Sequence, residues 1–148
     1  SLAPSEMCIR DSMRITQETD YAFRIVSYLA ANEGKVVGAP QIAESEGVTK
    51  RFTLRILRKL NLAGITDAKR GSKGGYFLKK AKEEITLYDI LVAVDGPIVI
   101  NRCLQEEDSF CSKHPDEDRR SCKFHLALAG MQSNIIKMFR SQTIDKFI

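Results

Sequence analysis

Features that this 148-residue sequence lacks limit the kinds of protein it can encode. No apolar run approaches the roughly 20 residues that a membrane-spanning helix requires, so we expect no membrane partner. The order of a basic, an apolar and a small-residue segment that marks a signal peptide is also missing. We therefore expect a cytoplasmic protein, in which cysteines stay reduced and more often bind metal than form disulfides.

Catalytic motifs are missing too. The sequence has no Cys-x-x-Cys pair and no Gly-x4-Gly-Lys-Ser/Thr spacing of a phosphate-binding loop. It has no Ser/His/Asp arrangement in a recognisable local context, and both histidines, His114 and His125, stand close to three of the four cysteines. Cys122 and His125 could imitate a nucleophile and its base, but that pair alone is a weak signal. We expect a protein that is not an enzyme and has no small-molecule substrate.

The first half of the chain has the pattern of a helix-turn-helix. Apolar residues recur at helical spacing over residues 19–32, which predicts an amphipathic helix. A second helix is predicted over residues 41–46, and Gly47 then allows a tight turn. Thr49 is a good N-cap for a third, basic helix. Two helices joined by a short glycine-containing turn are typical of DNA-binding proteins.

A β-hairpin is predicted directly after the third helix. Residues 65–70 and 76–79 have strand character, and the glycine-rich turn between them carries basic residues. A helix-turn-helix followed by such a hairpin is a winged helix. The predicted fold class is therefore mainly α with a small β-hairpin wing, and a further helix begins near Thr86 and stops at Gly96.

Positive charge is concentrated in the segment that contains these two elements. Residues 49–82 hold eleven Lys or Arg and a single acid, Asp67, although the whole chain has a net charge of only +4. A basic block on a predicted recognition helix and wing indicates double-stranded DNA as the partner. A protein-interaction adaptor with the same fold would not need this block.

The position of each basic residue suggests its contact with DNA. The N-terminal residues of a recognition helix face base edges in the major groove, and phosphate contacts lie further along it. A basic wing tip can enter the adjacent minor groove. The predicted DNA-binding residues are Thr49, Lys50, Arg51 and Arg55 for base edges, Arg58 and Lys59 for phosphates, and Arg70 and Lys73 at the wing tip.

Cysteine and histidine cluster beyond this predicted DNA-binding part, in the run Cys103-x7-Cys111-x10-Cys122-x2-His125. Thiolates with an imidazole suit zinc, copper(I) or an iron–sulfur centre rather than calcium or magnesium. A zinc site could instead combine Cys111-x2-His114 with Cys122-x2-His125 as a Cys2His2 set. A metal-free thiol switch and an incidental grouping on a loop are further alternatives.

The end of the chain carries a long apolar stripe that begins near Phe124. Its members recur near a 3.5-residue period, which favours a dimerisation helix over packing within one chain. We divide the chain accordingly: residues 1–12 are a non-native or disordered leader, so Cys8 is not counted as a ligand. Residues 13–82 form the winged helix-turn-helix head, and residues 83–148 hold a connecting helix, a cysteine cluster loop at 101–125 and the dimerisation helix.

The chain resembles the bacterial winged-helix regulators of the IscR/NsrR type. The resemblance covers nearly all of residues 13–148, and its most specific parts are the wing and the cysteine set. The matching residues are Met13–Thr16 with Asp20-Tyr21-Ala22, Gln41-Ile42-Ala43, Leu60 with Ala63-Gly64, the wing Arg70-Gly71 with Gly74-Gly75-Tyr76, and Cys122-x2-His125.

This resemblance implies a homodimeric transcription repressor whose DNA affinity depends on an iron–sulfur cluster that senses iron, oxygen, redox state or nitric oxide. The implied ligands are Cys103, Cys111 and Cys122, with either His125 or Asp20 of the partner subunit as the fourth. The spacing departs from the family, whose cluster loops are tighter, which leaves a 2Fe-2S and a 4Fe-4S cluster both open. Cluster-free relatives that control cysteine metabolism make a zinc-bound or thiol-switch repressor the alternative.

Overall fold

The computed structural model describes residues 14–105, 111–112 and 122–148. Within these ranges no helix is long and apolar enough to cross a membrane. The same ranges contain two short 3-10 turns, Arg102–Leu104 and Ile144–Phe147. The helices and strands in chain order are α1 (Gln17–Ala31), α2 (Ala39–Glu46), α3 (Lys50–Leu62), β1 (Thr66–Lys69), β2 (Gly75–Leu78), α4 (Leu87–Asp95) and α5 (Lys123–Arg140).

Local signals in the sequence determine where α1 and α3 begin. The Thr16 side chain accepts a hydrogen bond from the backbone N–H of Thr19 at 3.2 Å, and Thr49 does the same for Phe52 at 3.2 Å. These caps satisfy donors that a helix N-terminus leaves unpaired. Gly47 follows α2 with φ 65°, the left-handed conformation that glycine adopts without strain. α2 and α3 therefore form the helix-turn-helix that the sequence predicts.

The wing is a two-stranded antiparallel hairpin. Thr66 pairs with Leu78 at its base and Lys69 pairs with Gly75 near its tip. Val37, in the link between α1 and α2, bridges Tyr76 through two backbone hydrogen bonds of 2.9 and 2.7 Å. This bridge attaches the wing to the helical part. The predicted fold class, mainly α with a small hairpin wing, is confirmed.

In the part of the chain that the structure describes, one apolar core joins the predicted head to residues beyond it. Ile25 of α1, Ile42 of α2 and Leu57 of α3 are fully buried, and Ile90 of α4 and Ile144 near the C-terminus are buried in the same cluster. Because this core contains residues on both sides of position 82, the boundary that we place there does not separate two independently packed units.

The last helix is shorter than its apolar pattern suggests. We expected the stripe that begins near Phe124 to continue to the end of the chain, but α5 ends at Arg140. The chain then returns to the start of α4, where the Ile144 N–H donates to the backbone oxygen of Ile85 at 2.9 Å and the Leu87 N–H donates to that of Gln142 at 2.9 Å. Burial of Ile144 in the core explains why helical periodicity is lost there.

Candidate nucleic-acid interface and metal centre

The N-terminal end of α3 presents most of its basic side chains to solvent. Lys50, Arg51 and Arg58 are exposed, as a DNA contact requires. Thr49 is also exposed, but its hydroxyl oxygen already accepts the capping hydrogen bond from Phe52. The predicted base contact of Thr49 would therefore use the hydroxyl as a donor.

Arg55 makes contacts within the protein, but its side chain remains accessible to solvent. Its side chain is 63% exposed, and its Nε lies 3.5 Å from Oε1 of Glu18 in α1. Its guanidinium also lies over the Phe52 ring, 5.9 Å from the ring centre. These contacts limit the motion of a long side chain on the recognition helix without covering it.

Lys59 takes a different position from the one predicted. Its Nζ lies 2.8 Å from Glu18 Oε1, and it donates a hydrogen bond to the backbone oxygen of Val94 at 3.3 Å. Its side chain is only 31% exposed. The ammonium thus has two partners within the protein, which would compete with the predicted phosphate contact.

The wing tip carries Arg70 and Lys73 in exposed positions. Gly74 is required for the turn that presents them, because a Cβ at this residue would stand 2.2 Å from the backbone oxygen of Lys69. Gly71 has φ 115°, a conformation that residues with a side chain rarely adopt. The glycines therefore serve the backbone of the tip, and the two cations remain available to DNA.

Two of the predicted metal ligands come together. Cys103 lies in the first 3-10 turn and His125 in the first turn of α5, and the Cys103 Sγ is 3.2 Å from the His125 Nδ1. Sulfur and nitrogen ligands of one tetrahedral zinc, at about 2.3 and 2.0 Å from the metal, lie roughly 3.5 Å apart. The contact is a hydrogen bond between the thiol and the imidazole, and the separation of Sγ and Nδ1 is close to that of two ligands on one metal.

The remaining predicted ligands do not complete a site among the described residues. Cys111 and Cys122 are both partly exposed, and Cys122 directly precedes α5. In the described ranges no three side chains of His, Cys, Asp or Glu are close enough to hold a metal. His114, which the zinc alternative needs, lies outside the described residues. Asp20 forms a 2.6 Å ion pair with Arg24 on α1, and both side chains are 49% exposed.

Sequence reasoning missed Glu18, although a signal for it exists. Glu18 stands four residues before Ala22, on the same stripe of α1 that carries Ile25 and Leu29 into the core. An acid at such a position needs a cation from a neighbouring element. Asp95, the last residue of α4, likewise accepts hydrogen bonds from the hydroxyls of Thr16 and Thr19 at 2.6 and 2.5 Å.

Comparisons with known proteins agree with this architecture. Residues 15–148 match the family described as "Rrf2: Iron-dependent Transcriptional regulator". Protein aau3 of Rhizobium meliloti (strain 1021) is 32% identical over 136 residues, which is 92% of this chain and 85% of that protein.

Two solved structures share the fold. CymR (YrzC), the global cysteine regulator of B. subtilis, has a TM-score of 0.70 at 21% identity and covers 92% of this chain and 96% of its own. IscR of T. potens has a TM-score of 0.67 at 19% identity and covers 92% of this chain and 86% of its own. At these identities the two structures show the fold alone.

Proposed function

The chain belongs to the Rrf2 family of transcriptional regulators, and we propose that it is a homodimeric repressor that binds a double-stranded DNA operator under the control of an iron–sulfur cluster. The observation that carries this proposal is the 3.2 Å approach of Cys103 and His125 in a chain with an exposed basic recognition helix and wing. A candidate pair of metal ligands and a candidate DNA surface in one small protein would supply the two parts of a regulatory switch.

The proposed DNA surface combines α3 and the wing. Exposed cations at Lys50, Arg51, Arg55 and Arg58 would face the major groove and its phosphates, and Arg70 and Lys73 would enter the minor groove. Thr49 completes the base-facing set. We keep Lys59 outside the direct contact because Glu18 and Val94 occupy its ammonium.

The proposed dimer interface is the apolar face of α5. No residue of this 18-residue helix is buried within the chain, and Phe124, Met131 and Met138 are 81%, 54% and 68% exposed. Apolar side chains this large and this numerous on one helix indicate a protein partner. A second copy is the partner that we propose, because helix-turn-helix proteins commonly read two half-sites as dimers.

The proposed cluster would be held by Cys103, Cys111 and Cys122 with His125, or with Asp20 of the partner subunit, as the fourth ligand. The description of the matched family as iron-dependent supports this choice. Binding requires deprotonated ligands and would order the segment that carries them. Because this segment follows α4 and leads into α5, its order could alter the position of both helices.

A zinc-bound or thiol-switch repressor is the second candidate. The fold likeness to CymR favours it, since that protein is described as a regulator of cysteine. Anaerobic purification followed by an absorption spectrum and by iron, sulfide and zinc analysis separates the candidates. Iron and sulfide in near-equal amounts would support the cluster, and colourless protein with one zinc per chain would support the zinc site. Protein that holds neither after reconstitution would favour the thiol switch.

Single substitutions assign the ligands in the same measurement. Cys103→Ser should lower bound iron and sulfide to background, whereas Cys8→Ser serves as the matched control because Cys8 lies in the predicted leader. His125→Ala and Asp20→Ala compare the two possible fourth ligands. A fully loaded Cys103→Ser protein would remove Cys103 from the proposed site.

A further inference from the structure

Glu18 is a nearly buried acid that joins α1 to the recognition helix. Its side chain is 14% exposed, and Oε1 lies 2.8 Å from Lys59 Nζ and 3.5 Å from Arg55 Nε, one turn apart on α3. Among the described residues this oxygen makes no hydrogen bond of standard geometry, so the two cations are what compensates its burial. A buried carboxylate without such partners would be strongly unfavourable.

The contact with Glu18 leaves Arg55 able to bind DNA. It involves Nε, whereas the fork of a guanidinium that binds guanine O6 and N7 can use the terminal nitrogens. The Phe52 ring lies beneath Arg55 and is itself fixed by an edge-to-face contact with Tyr21, with ring centres 5.7 Å apart. A side chain restrained before binding loses less conformational entropy on binding.

Glu18 is also connected to the end of α4 through Lys59. Lys59 forms an ion pair with Glu18 and donates a hydrogen bond to the backbone oxygen of Val94. The next residue, Asp95, accepts hydrogen bonds from Thr16 and Thr19 on either side of Glu18. Asp95 precedes Cys103 by eight residues in the chain. A displacement of the end of α4 must therefore disturb the first turn of α1, the middle of α3, or both.

We propose that Glu18 is a positioning residue for DNA recognition: it orients Arg55 for base contact and, through Lys59, couples that orientation to the C-terminal end of α4. This inference rests on the proposed function. It makes Glu18 the side chain that connects the recognition helix with the end of α4, the helix that leads into the cysteine segment. Glu18 itself touches neither DNA nor metal.

The first test compares sequence preference. Purified wild-type protein and the variants are each allowed to select duplexes from a randomised library, and Arg55→Ala identifies the base position that Arg55 reads. At that position Glu18→Gln should lower discrimination between bases by at least about fivefold, the lower end of what one base contact supplies. Preference at the other positions should be retained.

The matched control is Glu33→Gln, which removes the same charge as Glu18→Gln. It breaks one ion pair, in which Glu33 Oε2 lies 3.1 Å from Lys82 Nζ. It should select the wild-type sequence. If Glu18→Gln does not fold, Glu18→Asp takes its place, because it keeps the charge but withdraws the carboxylate by one methylene. Unchanged preference in a folded Glu18 variant overturns the proposal, since a merely structural role lowers affinity for all sequences alike.

The second test measures the connection to α4. Binding of the selected duplex should slow amide hydrogen exchange at residues 92–96 in the wild-type protein, and Lys59→Gln should abolish this slowing. Lys80→Gln, an exposed lysine beyond the wing, should retain it. Persistent slowing in Lys59→Gln would refute the coupling.

The outcomes separate this inference from the proposed function. A wild-type protein that selects no sequence from the library contradicts the proposed DNA-binding function itself. A wild-type protein that selects an operator, together with a Glu18 variant of the same preference, contradicts the role of Glu18 and leaves the proposed function standing.

Discussion

Replacement of Ile144 by alanine would test how firmly the C-terminal segment is attached to the head. Ile144 is 1% exposed and belongs to the core cluster that also contains Ile85 and Ile90. Its backbone N–H donates to Ile85 at 2.9 Å, which places the segment beside the start of α4. The side chain thus fixes the point at which the chain returns after α5.

The expected cost follows from this burial. Truncation of a buried isoleucine to alanine costs about 2–5 kcal/mol, because transfer energy is lost and a cavity remains. A segment near a chain end can partly collapse into the cavity, so we expect about 2–3 kcal/mol for Ile144→Ala. Tm should then fall by roughly 6–9 °C for a chain of this size. Ile144→Val, which removes one methyl group, should cost about 1 kcal/mol.

The assay is urea unfolding followed by circular dichroism at one protein concentration, because the stability of a dimer depends on concentration. Ile148→Ala is the matched control: the chemical change is identical, but Ile148 is 53% exposed and should lose no more than about 0.5 kcal/mol. If Ile144→Ala and Ile148→Ala have equal stability, the packing of the C-terminal segment described above is wrong.

Three further predictions concern the wing, the dimer and an ion pair. Gly75→Ala should weaken DNA binding, because a Cβ would stand 2.5 Å from the backbone oxygen of Val37; unchanged affinity would argue against contact by the wing. Met131→Glu should yield monomers in sedimentation velocity if α5 forms the interface, and a persistent dimer would locate the interface elsewhere. The hydrogen bond and charge of Glu33 raise the pKa of Lys82 above its usual value. The stabilisation by this pair is therefore present at neutral pH and is lost as the pH rises through the raised pKa. Glu33→Gln should lower the Lys82 pKa in an NMR titration, and an equal pKa would contradict the pairing.

Local signals explain why much of the fold could be predicted. Thr16, Thr49 and Thr86 each cap a helix by a hydrogen bond to a backbone N–H three residues on, and such contacts need only a short stretch of chain. The wing depends on glycine at a tight turn, which is also local. By contrast, the end of α5 depends on the fit of Ile144 into a core built by distant helices, and no periodicity within α5 indicates where that fit begins.

In the candidate site, too, the features that depend on local contacts could be predicted and those that depend on distant residues could not. The basic residues of α3 could be assigned from helical position, because the N-terminal end of a capped helix is exposed unless another element covers it. The inward turn of Lys59 could not, since it depends on Glu18 and Val94, which are 41 and 35 residues away in sequence. The proximity of Cys103 and His125 was inferred from residue type alone, and the distance between them comes from the approach of α5 to the first 3-10 turn.

The sequence alone was enough to predict the winged helix-turn-helix, the concentration of positive charge on its third helix and wing, and the grouping of cysteine and histidine beyond it. These properties follow from composition and from contacts between residues a few positions apart. The tertiary structure was needed to show that Glu18 links α1 to Arg55 and Lys59, that the Lys59 ammonium has two partners within the protein, and that Ile144 returns the chain to the core. Such contacts join elements far apart in the chain, and burial selects them only when the whole core is assembled.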